Sequence, residues 1–174
     1  MTSVLKVDTI QSSGGTTGLT IDSSGRVLMP QVPMFQVHTS SNSYSTDDGT
    51  VPYNTVEIDV GSNFNTSTYK FTAPITGYYH MHSHVYANVI SGTDVSVRYQ
   101  VNGSDYNGVN IGASIYAYGY NNAGGGSHEA IDLPLIMKLS ANDAVNVAIQ
   151  TSGTGQYYKG SRETWWFGYL LGTY

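Results

Sequence analysis

The sequence predicts an all-β sandwich, and three observations lead there. From Met34 onward, runs of alternating side chains recur between turns at a spacing of roughly 8–12 residues, as in sandwiches. No stretch sustains a helical period. Aromatic residues reach 12%, with 15 Tyr, while charged residues make up only 11%. Such a chain can bury a core, and the surface it leaves is mostly neutral and polar.

The bulk numbers also exclude function classes. Net charge is −5 and the seven Lys and Arg are scattered, so there is no basic stripe for nucleic acid. Cysteine is absent, which removes both disulfides and thiolate metal sites. No apolar run approaches the ~20 residues needed to span a bilayer, so no membrane insertion is expected. Met1-Thr2-Ser3-Val4 has neither a basic head nor an apolar core, so no secretory signal is expected either.

In chain order, residues 1–33 form an N-terminal attachment or stem segment and residues 34–174 the head. Val4–Ile10 alternates weakly as a strand, and Gln11–Gly18 reads as a flexible polar link. Leu19-Thr20-Ile21 and Arg26–Met29 flank Asp22-Ser23-Ser24-Gly25, a turn with Gly placed for a left-handed backbone. That short β-hairpin is too small to stand alone. It needs a partner, either other copies of the chain or a separate scaffold.

The head begins with a strand at Phe35–His38, followed by a polar loop from Thr39 to Gly49. Val56–Val60 alternates cleanly, and Tyr69–Pro74 leads into the central stretch. Asp94–Val101 ends at Asn102-Gly103, a strong hairpin signal. A strand from Ile111 to Tyr120 precedes a Gly-rich loop to Ser127. Ala130–Leu139 and Ala144–Gln150 are joined by Ser140-Ala141-Asn142-Asp143, and Thr164–Leu171 closes the chain.

The central stretch is Pro74–Tyr86. In a strand, successive side chains leave on opposite faces. Tyr79, Met81, Ser83 and Val85 then share one face, and Tyr78, His80, His82, His84 and Tyr86 the other. Three of the five histidines stand in one file. A strand with something to bury on each side is central, and its imidazole side belongs at an interface. Trp165 and Trp166 likewise point to opposite faces, one to the core and one to a neighbouring subunit.

Three sets of residues carry a family resemblance. They are Lys70-Phe71-Thr72-Ala73-Pro74-x-x-Gly77-x-Tyr79-x-Met81, then Leu139-x-x-x-Asp143-x-Val145-x-Val147, then Trp166-Phe167-Gly168-Tyr169-Leu170-Leu171. In this order they resemble the globular head of complement and tumour-necrosis-factor-like proteins, over about residues 34–173. Met81 and Trp166 stand where that family usually has Phe, and residues 108–128 form a long Tyr- and Gly-rich insert. The resemblance implies a ten-stranded jelly-roll sandwich forming a homotrimer, with the histidine face turned to the threefold axis. Residues 1–30, above all Leu19–Val27, resemble the attachment and shaft segments of bacteriophage tail fibres.

Positions i and i+2 of a strand stand about 6.6–6.8 Å apart. In the implied trimer, His80, His82 and His84 each become a ring of three, stacked along the axis. Two adjacent rings could offer six imidazole nitrogens to one transition metal such as iron, nickel or zinc. The His-x-His rungs of phage fibre tips are similar. The alternative is imidazoles that pack across the axis without metal. In either case acidification places like charges together and weakens the trimer.

The file Tyr116, Tyr118 and Tyr120 is either a packing face or a surface for carbohydrate or protein, since Tyr joins a rigid apolar ring to a hydrogen-bonding tip. Tyr157 and Tyr158 carry the same two readings. Residues 104–128 and 153–162 have the Tyr, Gly, Ser and Asn palette of recognition loops. Catalytic motifs are missing: there is no Gly-x-Ser-x-Gly, Walker loop or His-Glu-x-x-His. Ser127-His128-Glu129 reads as surface loop and Asp47-Asp48 as turn residues.

The expectation is a virion protein assembled in the host cytoplasm, a trimeric tail-fibre head that binds a host-surface glycan or protein. Residues 1–33 would join it to other virion proteins. The alternative is a capsid decoration or cement knob. An enzyme, such as a glycan hydrolase, would need paired carboxylates that the strands lack.

Overall fold

The computed structural model describes residues 5–40, 44–45, 48–89, 94–107, 116–120, 127–151, 156–158 and 163–174. They are built of strands and turns, in three sheets. The first sheet is a meander of β1 (Thr9–Gln11), β2 (Thr17–Ile21) and β3 (Val27–Leu28). The remaining segments are β4 (Met34–His38), β5 (Tyr44–Ser45), β6 (Gly49–Thr50), β7 (Thr55–Val60), β8 (Phe64–Asn65), β9 (Lys70–Thr72) and β10 (Gly77–Val89). They continue with β11 (Asp94–Val101), β12 (Ser104–Asp105), β13 (Tyr116–Tyr120), β14 (Ser127–Leu139), β15 (Ala144–Thr151), β16 (Gln156–Tyr158) and β17 (Trp165–Gly172).

One seven-stranded sheet runs β14-β10-β17-β4-β7, with β16 and β5 continuing beside the far end of β10. The other centres on β11 and β15, flanked by β12 and β13 on one side and by β6, β9 and β8 on the other. Every pairing is antiparallel. Where ten strands are expected, the two sheets of the head hold fourteen segments among the described residues, several of them only two residues long.

The core lies between these sheets, where their inward side chains meet. Trp166 is fully buried at its centre, with its ring edge-on to Phe35 at 4.7 Å and to Phe64 at 5.8 Å. Tyr79, Met81, Ser83 and Val85 of β10 are all fully buried, as their alternation requires. The resemblance-bearing glycines are needed for close approach. A Cβ on Gly168 would collide with Met81 Sδ and the Phe35 ring, and one on Gly77 would meet Gly172 O at 2.6 Å. Asn102 and Gly103 take φ of 53° and 83°, the two left-handed residues of a type I′ turn. Asn102 Nδ2 then donates to Asp143 Oδ1 at 2.8 Å, tying that hairpin to the turn after β14.

Four sequence expectations are corrected. Residues 12–16 are not a flexible link but the turn between β1 and β2, closed by Ser12 N donating to Thr16 O at 2.9 Å. The first strand spans Thr9–Gln11 rather than Val4–Ile10, with residues 1–4 outside the described set. Ser127-His128-Glu129 is the start of β14 rather than a surface loop, because β10 extends to Val89 and pairs it. The polar stretch from Thr39 contains β5 and the start of β6.

Candidate functional site

The outer face of the β14-β10-β17-β4-β7 sheet gathers most of the chemistry. The register lays His80, His82 and His84 beside Tyr169, Phe167 and Trp165 on one side, and beside Ile136, Pro134 and Asp132 on the other. The rings form a ladder. Trp165 and Phe167 stack at 5.6 Å, Phe167 and Tyr169 at 6.4 Å, and His84 lies flat on Trp165 at 5.1 Å. His82 meets Trp165 edge-on at 5.1 Å, and His80 sits 5.2 Å from Tyr169. Trp165 and Trp166 lie on opposite faces, as alternation predicts, with Trp165 the outward member.

One carboxylate organises the imidazoles. His82 Nε2 donates to Asp132 Oδ1 at 2.8 Å, and His84 Nδ1 donates to the same oxygen at 2.9 Å. Asp132 can reach both because it stands directly across from His84, with Pro134 across from His82. Partial burial pushes the Asp132 carboxyl up, but the hydrogen bonds and charges of His84 and His82 outweigh it and leave the group below its ordinary value. His80 Nδ1 is buried with no protein partner.

Among the described residues of one chain, no three His, Asp or Glu side chains are placed to hold a metal ion. With both bonds to Asp132 made, His82 Nδ1 and His84 Nε2 are left as the lone-pair nitrogens of the two rings. A carboxylate that fixes the opposite ring nitrogen is the usual support for a metal-binding imidazole.

At the β4–β7 side of the same face, Gln36, His38, Glu57, Ile58, Trp165 and Phe167 line an open groove of about 610 Å3. His38 is almost fully buried. Its Nδ1 donates to Thr39 O at 2.7 Å and its Nε2 lies 3.1 Å from Glu57 Oε1. The pairing of β4 and β7 shifts register between Gln36 and Val37, and this bulge brings Glu57 to His38. Sequence reasoning names neither Asp132 nor this pair. The alternation of β14 puts Asp132 on the outer face, but only the register reveals its partners.

The expected tyrosines lie on two other strands, β13 and β16. Tyr116, Tyr118 and Tyr120 occupy alternate positions of β13, opposite Arg98, Ser96 and Asp94 in the second sheet. Tyr157 and Tyr158 lie in β16 of the first sheet, opposite Ser45 and Tyr44. Tyr116, Tyr118 and Tyr120 are on a strand, as expected, whereas Tyr157 and Tyr158 are in a short strand rather than a loop. Their strands nevertheless reach the same end of the sandwich, where β10 ends at Val89, β11 starts at Asp94, β14 starts at Ser127 and β15 ends at Thr151. Residues 108–115, 121–126, 153–155 and 159–162 of the expected recognition stretches lie outside the described set, as does Asp47. Asp48 accepts from Thr151 N at 2.6 Å and so braces this end. The stem enters at the opposite end, where Met34 pairs with Tyr169.

A comparison with curated proteins gives no match. Among solved structures, the chain is similar to the globular domain of zebrafish complement 1qA protein, with 17% identity, a TM-score of 0.62, and 82% of this chain and 99% of that one covered. It is also similar to murine APRIL, with 12% identity, a TM-score of 0.58, and coverage of 80% and 99%. Eiger TNF from S. frugiperda gives 11% identity, a TM-score of 0.57, and coverage of 83% and 95%. At these identities the likeness is one of fold alone, a jelly roll like those of complement and TNF-like proteins. The family model of the C1q domain matches residues 34–171, which is most of the head and well over half of the sequence, and the chain therefore belongs to the C1q domain family.

Proposed function

We propose that the chain is a trimeric binding module, the receptor-binding head of a bacteriophage tail fibre, and that it works without catalysis. The observation that carries the trimer is the uncovered ladder face. Ile136 is 58% exposed there and Tyr169 38%, beside stacked aromatic rings. Threefold packing through this sheet covers these groups and leaves the far end of the sandwich free. That end carries the Tyr-bearing strands β13 and β16 and the junctions of most long connections, which suits recognition of a host-surface glycan or protein. The virion setting rests on the likeness of Leu19–Val27 to tail-fibre segments.

Replacing Tyr118 and Tyr120 by Ala tests the reading. Adsorption to host cells should fall while sedimentation still gives a trimer. Unchanged adsorption, together with loss of virion incorporation when residues 1–33 are deleted, would move the protein to capsid decoration. A transition metal on the axis would be held by His82 Nδ1 and His84 Nε2. A chelator that lowers the melting temperature supports that site, and an unchanged melting temperature in metal-free protein removes it.

A further inference from the structure

The β1–β3 meander has one apolar face with nothing from its own sheet to cover it. Ile10 pairs with Leu19, and Ile21 pairs with Val27, so these four share a face. Thr9, Gln11, Thr20 and Leu28 take the other. Val27 is 57% exposed and Ile10 51%. A sheet of this size does not hold its shape in water without burying that face.

We propose that the meanders of three chains close their apolar faces on one another, forming a self-packed stem continuous with the head trimer. This inference rests on the trimeric head. The connection between the two favours other copies over a foreign scaffold. β3 ends at Leu28, and Pro33 is already fixed to the head, its carbonyl accepting from Leu170 N at 3.0 Å. Four residues between these points, one of them Pro30, reach at most about 18 Å when fully extended. Each meander therefore stays near its own head, and association of the heads gathers three identical apolar faces at high effective concentration. The head also presents apolar side chains at the end from which the stem departs. Tyr169, Leu171, Ile136 and Tyr174, all more than a third exposed, stand at the end of the head where β4 enters.

The chain contains no cysteine, so one introduced thiol reports on one position. Val27 and Leu28 are neighbours, 57% and 47% exposed in the single chain, on opposite faces of β3. In purified full-length protein only another copy can cover either residue. The expected result is that Val27→Cys reacts with a soluble disulfide reagent at least about tenfold more slowly than Leu28→Cys. A short bis-maleimide should also join Val27→Cys chains into covalent dimers and leave Leu28→Cys chains single. Equal rates in a protein that light scattering shows to be trimeric would overturn the stem and leave the head reading intact. Protection of Val27→Cys only within assembled particles would assign the face to a separate scaffold, and the inference fails. A monomer by light scattering removes the head trimer and the stem together.

Discussion

Asp132 is the residue on which the imidazole file depends. Its single oxygen Oδ1 holds both His82 and His84, and its pKa lies below the ordinary value because those bonds stabilise the carboxylate more than burial disfavours it. A carboxyl with a depressed folded pKa contributes stability that is fully present above its unfolded value, about 3.9. That contribution is lost as pH falls through the lower folded value. Asp132→Asn should therefore lower the melting temperature at pH 7 by about 1–3 °C, the scale of a partly exposed pair in a chain of this length. The gap between wild type and variant should close below pH ~4. Melting curves from pH 2.5 to 7 check this, and a gap that persists in acid would mean that the carboxylate's charge is not what matters.

Among the elements, β10 and β17 show what sequence can and cannot tell. The two faces of β10 were readable because alternation is a property of the strand itself. The core side of Tyr79, Met81, Ser83 and Val85 follows directly from it. Asp132 lies 50 residues from His82, and local pattern does not encode which residue of β14 faces which residue of β10. The His38–Glu57 pair depends on a bulge, an irregularity with no marker in Phe35–His38 or Val56–Val60. Residues 12–16 were misread because Gly, Ser and Thr build tight turns as readily as flexible links. Gly168 is the opposite case, a motif residue whose reason becomes clear in the packing. Gly168→Ala should destabilise the fold by about 1–3 kcal/mol through its clash with Met81 and Phe35. Met81→Ala alone should cost about 2–5 kcal/mol. The double variant should cost clearly less than the sum, since the deletion makes room for the added methyl. Urea denaturation of the four proteins measures the coupling, and strict additivity would show that the Met81 thioether is not the obstacle.

For the whole molecule, the question is why a sheet would carry rings on both faces. The inner face closes on the second sheet through Trp166 and its neighbours, which make up the core of the single chain. The outer ladder of Trp165, Phe167 and Tyr169 is not part of that core, yet its rings stack on one another and on His84. Ile136 separates folding from assembly, because it is 58% exposed and touches the outer face alone. Replacing it by Arg removes little from the single chain, where surface changes usually lie within about 0.5 kcal/mol. In a threefold packing the same change buries three like charges at one level of the axis, where each would lack a partner. Ile136→Arg should therefore sediment as a monomer at micromolar concentration with the strand content of the wild type unchanged. If the variant remains trimeric, the ladder face does not lie at the axis. The surface that joins the copies must then be sought on the second sheet, with β13 and its tyrosines.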